Sequence, residues 1–279
     1  MEKRRLDALL AERGLFSSRS RAAASVMAGE VRVGASQRRA AKPGEMVDVG
    51  EQLSVDERPR FVSRGGIKLS NALDGSGLDV RDRRALDVGA STGGFTDCLL
   101  QRGAREVIAV DVGYGALAWS LRSDARVTVL KRTNARELTP QPLPYAPDLA
   151  VIDVSFISLS KVLGAVLACL APGWDALALV KPQFEVGREQ VGSGGVVRDA
   201  DARRSALIDA GQDAIALGAA VVGYHSSGLP GPKGNRETFV WLTDPQGARA
   251  AERAVALPAQ GDRGAQLAAL DELAREVER

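Results

Sequence analysis

Arg84-Ala85-Leu86-Asp87-Val88-Gly89-Ala90-Ser91-Thr92-Gly93-Gly94-Phe95-Thr96 decides the fold. The apolar run Ala85–Val88 reads as a short buried strand that Gly89 ends. Gly93 and Gly94 open a helix that runs through Cys98, Leu99 and Leu100 to Gly103. A strand, a glycine turn and a helix start form a ligand cradle, because glycines admit close backbone approach and free amides point into the space. The spacing is G-x-x-x-G-G, not the G-x-G-x-x-G of a dinucleotide site. It suits a ligand without a pyrophosphate, such as S-adenosylmethionine, and the cradle residues are Gly89, Ala90, Ser91, Thr92, Gly93, Gly94 and Phe95.

Downstream, strand-like and helix-like segments alternate. Strands are expected at 107–110, 127–130, 149–154, 176–180, 220–224 and 238–242, and helices at 115–122, 158–171 and 200–218. This alternation predicts an α/β fold with a doubly wound, mainly parallel sheet. Ligands then bind outside the carboxyl ends of the strands. Polar residues sit at those ends. Asp87 closes the first strand. Asp111 closes the second, 22 residues after Gly89, near the offset at which an acid accepts from a ribose diol. Asn134 follows the third and is placed for an adenine edge. Asp153 follows the fourth, Lys181 ends the fifth, and Glu237 begins the last. A single strand-end acid is often a turn former. A lysine is seldom buried without purpose. Lys68 is expected in the first turn of a helix over 67–73, where the helix dipole disfavours a cation unless an acid stands beside it.

Before residue 60 the pattern changes. Helices are expected at 5–15 and 21–27, the second capped by serines of Ser17-Ser18-Arg19-Ser20-Arg21. Short strands are expected at 31–33, 46–49 and 52–55. Residues 1–42 carry ten Lys/Arg against four Asp/Glu, whereas 43–57 carry five acids and no base. A local basic surplus on a chain of net charge +2 points to a polyanion partner. Asp56–Pro59 reads as a charged linker, and residues 248–279 as a polar tail ending in a helix over 266–277.

The two cysteines, Cys98 and Cys169, have no metal-ligand spacing, and the single histidine, His225, argues against His-based zinc sites and His-dependent triads. No metal is expected. No signal peptide is read at the N-terminus, and the longest apolar run, 162–172, is too short to span a bilayer. The expectation is a cytoplasmic protein that makes no membrane contact, with a monomer as the default state.

R-L-D-x-x-L, S-R-S-R-A, G-x-V-x-V and K-P-G in the first sixty residues closely resemble the S4 RNA-binding domain. That resemblance makes Arg5, Arg19, Arg21, Arg38, Arg39 and Lys42 candidates for phosphate contact. Arg60-Phe61-Val62-Ser63-Arg64-Gly65-Gly66, Gly89–Thr96, Asp111-Val112-Gly113-Tyr114-Gly115, Ser155-Phe156-Ile157-Ser158-Leu159 and Lys181-Pro182-Gln183-Phe184-Glu185-Val186-Gly187 resemble the TlyA family across nearly the whole chain. The family joins an S4 domain to a methyltransferase domain similar to that of FtsJ, and some members are named haemolysins. The resemblance implies a small α+β S4 domain over 1–59, a linker over 60–64, and a Rossmann-like S-adenosylmethionine-dependent methyltransferase domain over 65–279. It implies 2′-O-methylation of cytidine in 16S or 23S ribosomal RNA, or both, within ribosomal subunits. The basic N-terminal residues and the C-terminal helix suit members that modify both RNAs. FtsJ-like enzymes use a Lys-Asp-Lys-Glu tetrad, which falls on Lys68, Asp153, Lys181 and Glu237, with Lys181 as general base. Arg64, Arg132, Arg136 and Arg188 flank this site as candidate RNA contacts. The family's Arg-x-Trp-Val element appears as Arg60-Phe61-Val62, without the tryptophan. The alternatives are an RNA-binding protein with an inactive methyltransferase fold, and a membrane-active haemolysin.

Overall fold

Residues 84–88 alternate between two buried faces, as the pleat of a central strand demands. The computed structural model describes residues 2–56, 59–113, 116–247 and 263–278. The linker residues Glu57 and Arg58, Tyr114 and Gly115 of the quoted motif, and 248–262 of the tail lie outside them. The chain divides into two compact units, 1–59 and 60–279.

In the first unit, strand β1 (Lys3–Arg5) pairs antiparallel with β4 (Met46–Asp48). Strand β2 (Val31–Val33) lies between β3 (Arg38–Arg39) and β5 (Leu53–Val55). Helices α1 (Leu6–Glu12) and α2 (Arg19–Met27) pack on these strands through fully buried Leu6, Leu10, Ala22 and Val31. Ser18 caps α2, its hydroxyl accepting from the Arg21 amide at 3.3 Å.

The second unit is a seven-stranded sheet. Its strands are β6 (Arg84–Val88), β7 (Glu106–Asp111), β8 (Val127–Lys131), β9 (Leu149–Ile152), β10 (Asp175–Val180), β11 (Ala220–Ser226) and β12 (Thr238–Thr243), in the order β11-β12-β10-β9-β6-β7-β8. Strands β6 to β10 are parallel, and β12 runs antiparallel between β10 and β11. Helices α3 (Arg64–Ser76) and α4 (Gly94–Gln101) lie on one face with Ala85, Leu149, Val151 and Leu177. Helices α6 (Leu163–Leu167), α8 (Ala200–Ala216) and α9 (Arg263–Glu278) lie on the other with Leu86, Ile108, Ile152 and Val240. Short α5 (Trp119–Arg122) and α7 (Pro182–Glu185) follow β7 and β10. Burying one Leu of this core contributes about 2 kcal/mol. Helix α9 is stitched to α8 by Arg203–Glu278 and Arg204–Asp271.

Three local readings change. Residues 60–64 are not a free linker: Phe61 is buried in the α3/α4 core, the Val62 amide donates to Asp97, and Arg64 already begins α3. Lys68 therefore sits in the second turn of α3 rather than the first. The helix expected over 158–171 is a 3₁₀ turn (Leu159–Lys161) followed by α6.

The antiparallel β12 positions the site. Thr238 pairs with Val180. The start of β12 therefore lies at the carboxyl end of β10, and Glu237 and Lys181 each stand one residue beyond that pair.

Candidate active site

The cradle is shaped by backbone that only glycine adopts cheaply. Gly89 and Gly93 have φ of +86° and +96°, where a side chain is disfavoured. A Cβ on Gly89 would collide with the Asp153 carbonyl, and one on Gly94 with the Ser63 hydroxyl and the Gly66 amide. Gly94 thereby lets the N-terminus of α3 approach that of α4. Ser91 also lies in the left-handed region, at φ +49°, a conformation costing about 1–3 kcal/mol that its surroundings hold. Asp111 supplies part of that hold. Its carboxylate accepts from the Ser91 amide at 2.7 Å and the Gly113 amide at 2.6 Å.

Two cavities meet at this loop. One, of about 370 Å³, is lined by Ser63, Arg64, Gly65, Lys68, Gly89, Ala90, Ser91, Thr92, Gly94, Phe95, Asp153, Pro230 and Pro232. The other, of about 320 Å³, is lined by Gly89, Ser91, Asp111, Asn134, Asp153, Ser155, Phe156 and neighbouring residues. Gly89, Ser91 and Asp153 belong to both, so the two form an elongated cleft along the strand ends. Asn134 caps a 3₁₀ turn, its side-chain oxygen accepting from the Arg136 amide at 3.1 Å.

Two of the residues expected at the cofactor site, Gly93 and Asp87, do not line the cleft. A Cβ on Gly93 would strike the side chains of Leu117 and Leu121, so this glycine serves the turn. Asp87 is fully buried. Strand parity puts it on the face of Ala85, beneath α4, where one carboxyl oxygen accepts from the Thr96 amide at 2.9 Å and the Thr96 hydroxyl at 2.6 Å. Among the described residues its other oxygen has no hydrogen-bond partner. Burial pushes its pKa up to about 7. Asp87 thus fixes the start of α4 from behind the cradle.

The four tetrad residues form two ion pairs. Lys68 donates to Glu237, with 10 % and 1 % of the side chains exposed. Lys181 Nζ lies 2.5 Å from Asp153 Oδ1, with 9 % and 23 % exposed. Lys68 lines the same cavity as Asp153. Glu237 borders a different one, of about 350 Å³, formed with Ser226, Arg236, Thr238, Val277 and Glu278.

Ser155 and Glu185 carried no role in the sequence reading, and the structure adds both to this group. Lys181 Nζ donates to Ser155 Oγ at 2.7 Å. Glu185 accepts from the Ser158 hydroxyl at 2.7 Å and the Leu159 amide at 3.0 Å, and burial raises its pKa. The signal was the spacing itself. Two serines three apart meet a lysine and a glutamate four apart.

The basic candidates of the first unit are built around acids. Asp7 is buried, accepts from Arg5 at 2.9 Å, and lies 3.2 Å from Arg19. The hydrogen bond from Arg5 leads in holding its pKa at about 2, well below the usual carboxylate range. Arg38 pairs with Glu45, and Arg21 donates to Ser17 at 3.4 Å. The guanidinium side chains of Arg5, Arg19 and Arg38 stay about half exposed. Arg64 donates to the Pro230 carbonyl at 3.1 Å. Arg39, Lys42 and Arg132 are exposed, Arg136 and Arg188 likewise.

Residues 4–53 match the S4 domain and residues 61–244 the FtsJ-like methyltransferase. The chain is 51 % identical over 240 residues to the 16S/23S rRNA (cytidine-2'-O)-methyltransferase TlyA of Mycobacterium tuberculosis, covering 85 % of this chain and 89 % of that one. It is 37 % identical over 234 residues to Hemolysin A of Brachyspira hyodysenteriae, covering 84 % and 97 %. A solved structure from Streptococcus thermophilus, labelled a hemolysin, superposes with TM-score 0.69 at 40 % identity, covering 99 % and 96 %. Fold and cleft define a methyltransferase with an S4 domain ahead of it, a class that implies S-adenosylmethionine as the methyl donor. Within that class, the chain belongs to the TlyA family of FtsJ-like methyltransferases. Among the described residues, no helix is long and apolar enough to cross a membrane.

Proposed function

We propose that this chain methylates ribose 2′-hydroxyls of cytidine in ribosomal RNA of both subunits, in the cytoplasm, with Lys181 as general base. The observation that carries the reading is the Lys181–Asp153 pair, whose carboxylate lines both halves of the cleft. The wide scope rests on the relative from M. tuberculosis, whose name covers 16S and 23S RNA, and on the overlap with it across both domains.

The cleft suits the methyl donor on three counts. It is elongated, its floor is glycine backbone, and it offers a carboxylate at Asp111 and an amide at Asn134. Asp111 would hold the ribose diol, Asn134 the adenine edge, and the Gly89–Gly94 cradle the methionine end. When bound, S-adenosylmethionine supplies a methyl on a cationic sulfur.

The target hydroxyl is a weak nucleophile until its proton leaves. Lys181, in its neutral form, takes that proton, and Asp153 orients the amine. Lys68 and Glu237 would set the field and hold the hydroxyl. A positioned base is worth about 10²–10⁴-fold in rate. In-line placement of the oxygen adds more. Arg5, Arg19, Arg21, Arg38, Arg39 and Lys42 on the S4 domain would bind RNA phosphates, with Arg64, Arg132, Arg136 and Arg188 near the site. Binding is then steeply salt-dependent.

The test is transfer of tritium from labelled S-adenosylmethionine to unmodified small and large subunits, with Lys181→Ala alongside. Label in ribose of either RNA, lost in the variant, supports the reading. S-adenosylmethionine binding without label on either subunit overturns the substrate. Absence of both leaves an RNA-binding protein with an inactive fold.

A further inference from the structure

Ser155-Phe156-Ile157-Ser158-Leu159 begins two residues after Asp153, and Pro182-Gln183-Phe184-Glu185 follows Lys181 directly. The structure ties these segments together by three rungs. Lys181 Nζ donates to Ser155 Oγ at 2.7 Å, the Phe156 and Phe184 rings lie 5.4 Å apart, and Ser158 Oγ donates to Glu185 at 2.7 Å. Phe156 has φ +66°, a conformation a phenylalanine adopts only where neighbours over-determine it. The rungs on either side do so, and they leave Ser155 facing Lys181.

A neutral lysine amine has two N–H donors and one lone pair. A general base needs the lone pair on the substrate, so both donors must be spent elsewhere. Asp153 stands in ion-pair contact with Nζ, and Ser155 accepts a hydrogen bond from it. We propose that Ser155 is the positioning residue of the base. Its hydroxyl oxygen takes an N–H of Nζ while the ion pair with Asp153 holds the amine, and the two together leave the lone pair open to the ribose hydroxyl. With Asp153 alone the amine could turn about its Cε–Nζ bond. The inference rests on Lys181 acting as base. In that step the 2′ O–H bond breaks and its proton goes to Nζ. The oxygen pair then takes the methyl from the sulfur, which keeps the electrons of the broken bond.

Ser155 is exposed, so Ser155→Ala leaves the fold intact. The experiment measures kcat, KM for the ribosomal subunit and Kd for S-adenosylmethionine in wild type, Lys181→Ala, Ser155→Ala and Ser155→Thr. Ser155→Ala should lower kcat about tenfold, the loss of one hydrogen bond to a charged or reacting group, with KM and Kd unchanged. Ser155→Thr, which keeps the hydroxyl, should restore it. A second readout needs no turnover. In the free protein the side-chain ¹⁵N–¹H signal of Lys181, held by the Ser155 hydroxyl and the Asp153 ion pair, should broaden in Ser155→Ala and return in Ser155→Thr.

An active wild type with an unchanged Ser155→Ala, or a loss that threonine does not restore, overturns the inference and spares the reading beneath it. An active wild type whose Lys181→Ala is equally active overturns the base and the inference together. An inactive wild type with an unaltered Lys181 signal in Ser155→Ala overturns both as well.

Discussion

The two lysine–carboxylate pairs are the same chemistry in different settings. Lys68–Glu237 is sealed at its acid: Glu237 is only 1 % exposed, while Lys68 lines the cleft. Lys181–Asp153 has an open edge, since Asp153 is 23 % exposed and lines both halves of the cleft. The sealed pair joins α3 to the start of β12, elements 169 residues apart. Breaking it strands a buried charge. The open pair keeps one side for a substrate. The contrast divides the four residues by the exposure of their carboxylates, and the expectation is that the buried one acts as a brace and the open one faces substrate.

The largest expected effect is on the working pair. Lys181→Ala should cut methyl transfer about 10²–10⁴-fold while S-adenosylmethionine affinity, by calorimetry, stays at the wild-type level. A variant that loses affinity but keeps turnover would remove the base from Lys181.

The brace answers to stability. Glu237→Gln leaves Lys68 buried without its charge partner and should lower the unfolding free energy by about 3 kcal/mol. Asp153→Asn breaks a pair whose carboxylate solvent reaches, and should cost less stability than Glu237→Gln while abolishing activity. Urea titrations of the two variants side by side decide the matter. Equal destabilisation would erase the contrast.

A smaller effect belongs to the cleft. Asp111→Ala removes the acceptor that holds the Ser91 and Gly113 amides, and should weaken S-adenosylmethionine binding about tenfold while kcat at saturation changes less. An unchanged Kd would place the ribose elsewhere.

A pH dependence completes the set. Asp87 is raised to about 7 in the fold from 3.8. A raised carboxyl favours the folded state fully below pH 4, and that contribution is lost as pH rises through about 7. Thermal unfolding of Asp87→Asn should lack this component between pH 4 and 8. An identical pH profile in the variant would mean that Asp87 is ionised throughout.

Much of this site could be read from the chain because its causes are local. Glycines at 89, 93 and 94, acids at strand ends and a period-two strand before a helix all follow from backbone sterics and side-chain pattern. They set the α/β class, the cradle and the candidate residues. The position of Asp87 needed the sheet. Which face a strand residue takes depends on what covers that face, and α4 covers this one. Residues 60–64 look like a linker in composition, yet Phe61 finds a core to enter.

The sequence by itself determined which residues could do chemistry and at which strand ends they stand, because hydrophobic period and glycine geometry act over a few residues. Only the tertiary structure decided how they pair. The antiparallel insertion of β12 beside β10 brings Glu237 to the carboxyl ends. Burial then sets Glu237, 1 % exposed, apart from Asp153, which lines the cleft, and Ser155 accepts from the Lys181 amine. Such pairings are set by register and packing between distant segments, and neither is encoded in any one stretch of chain.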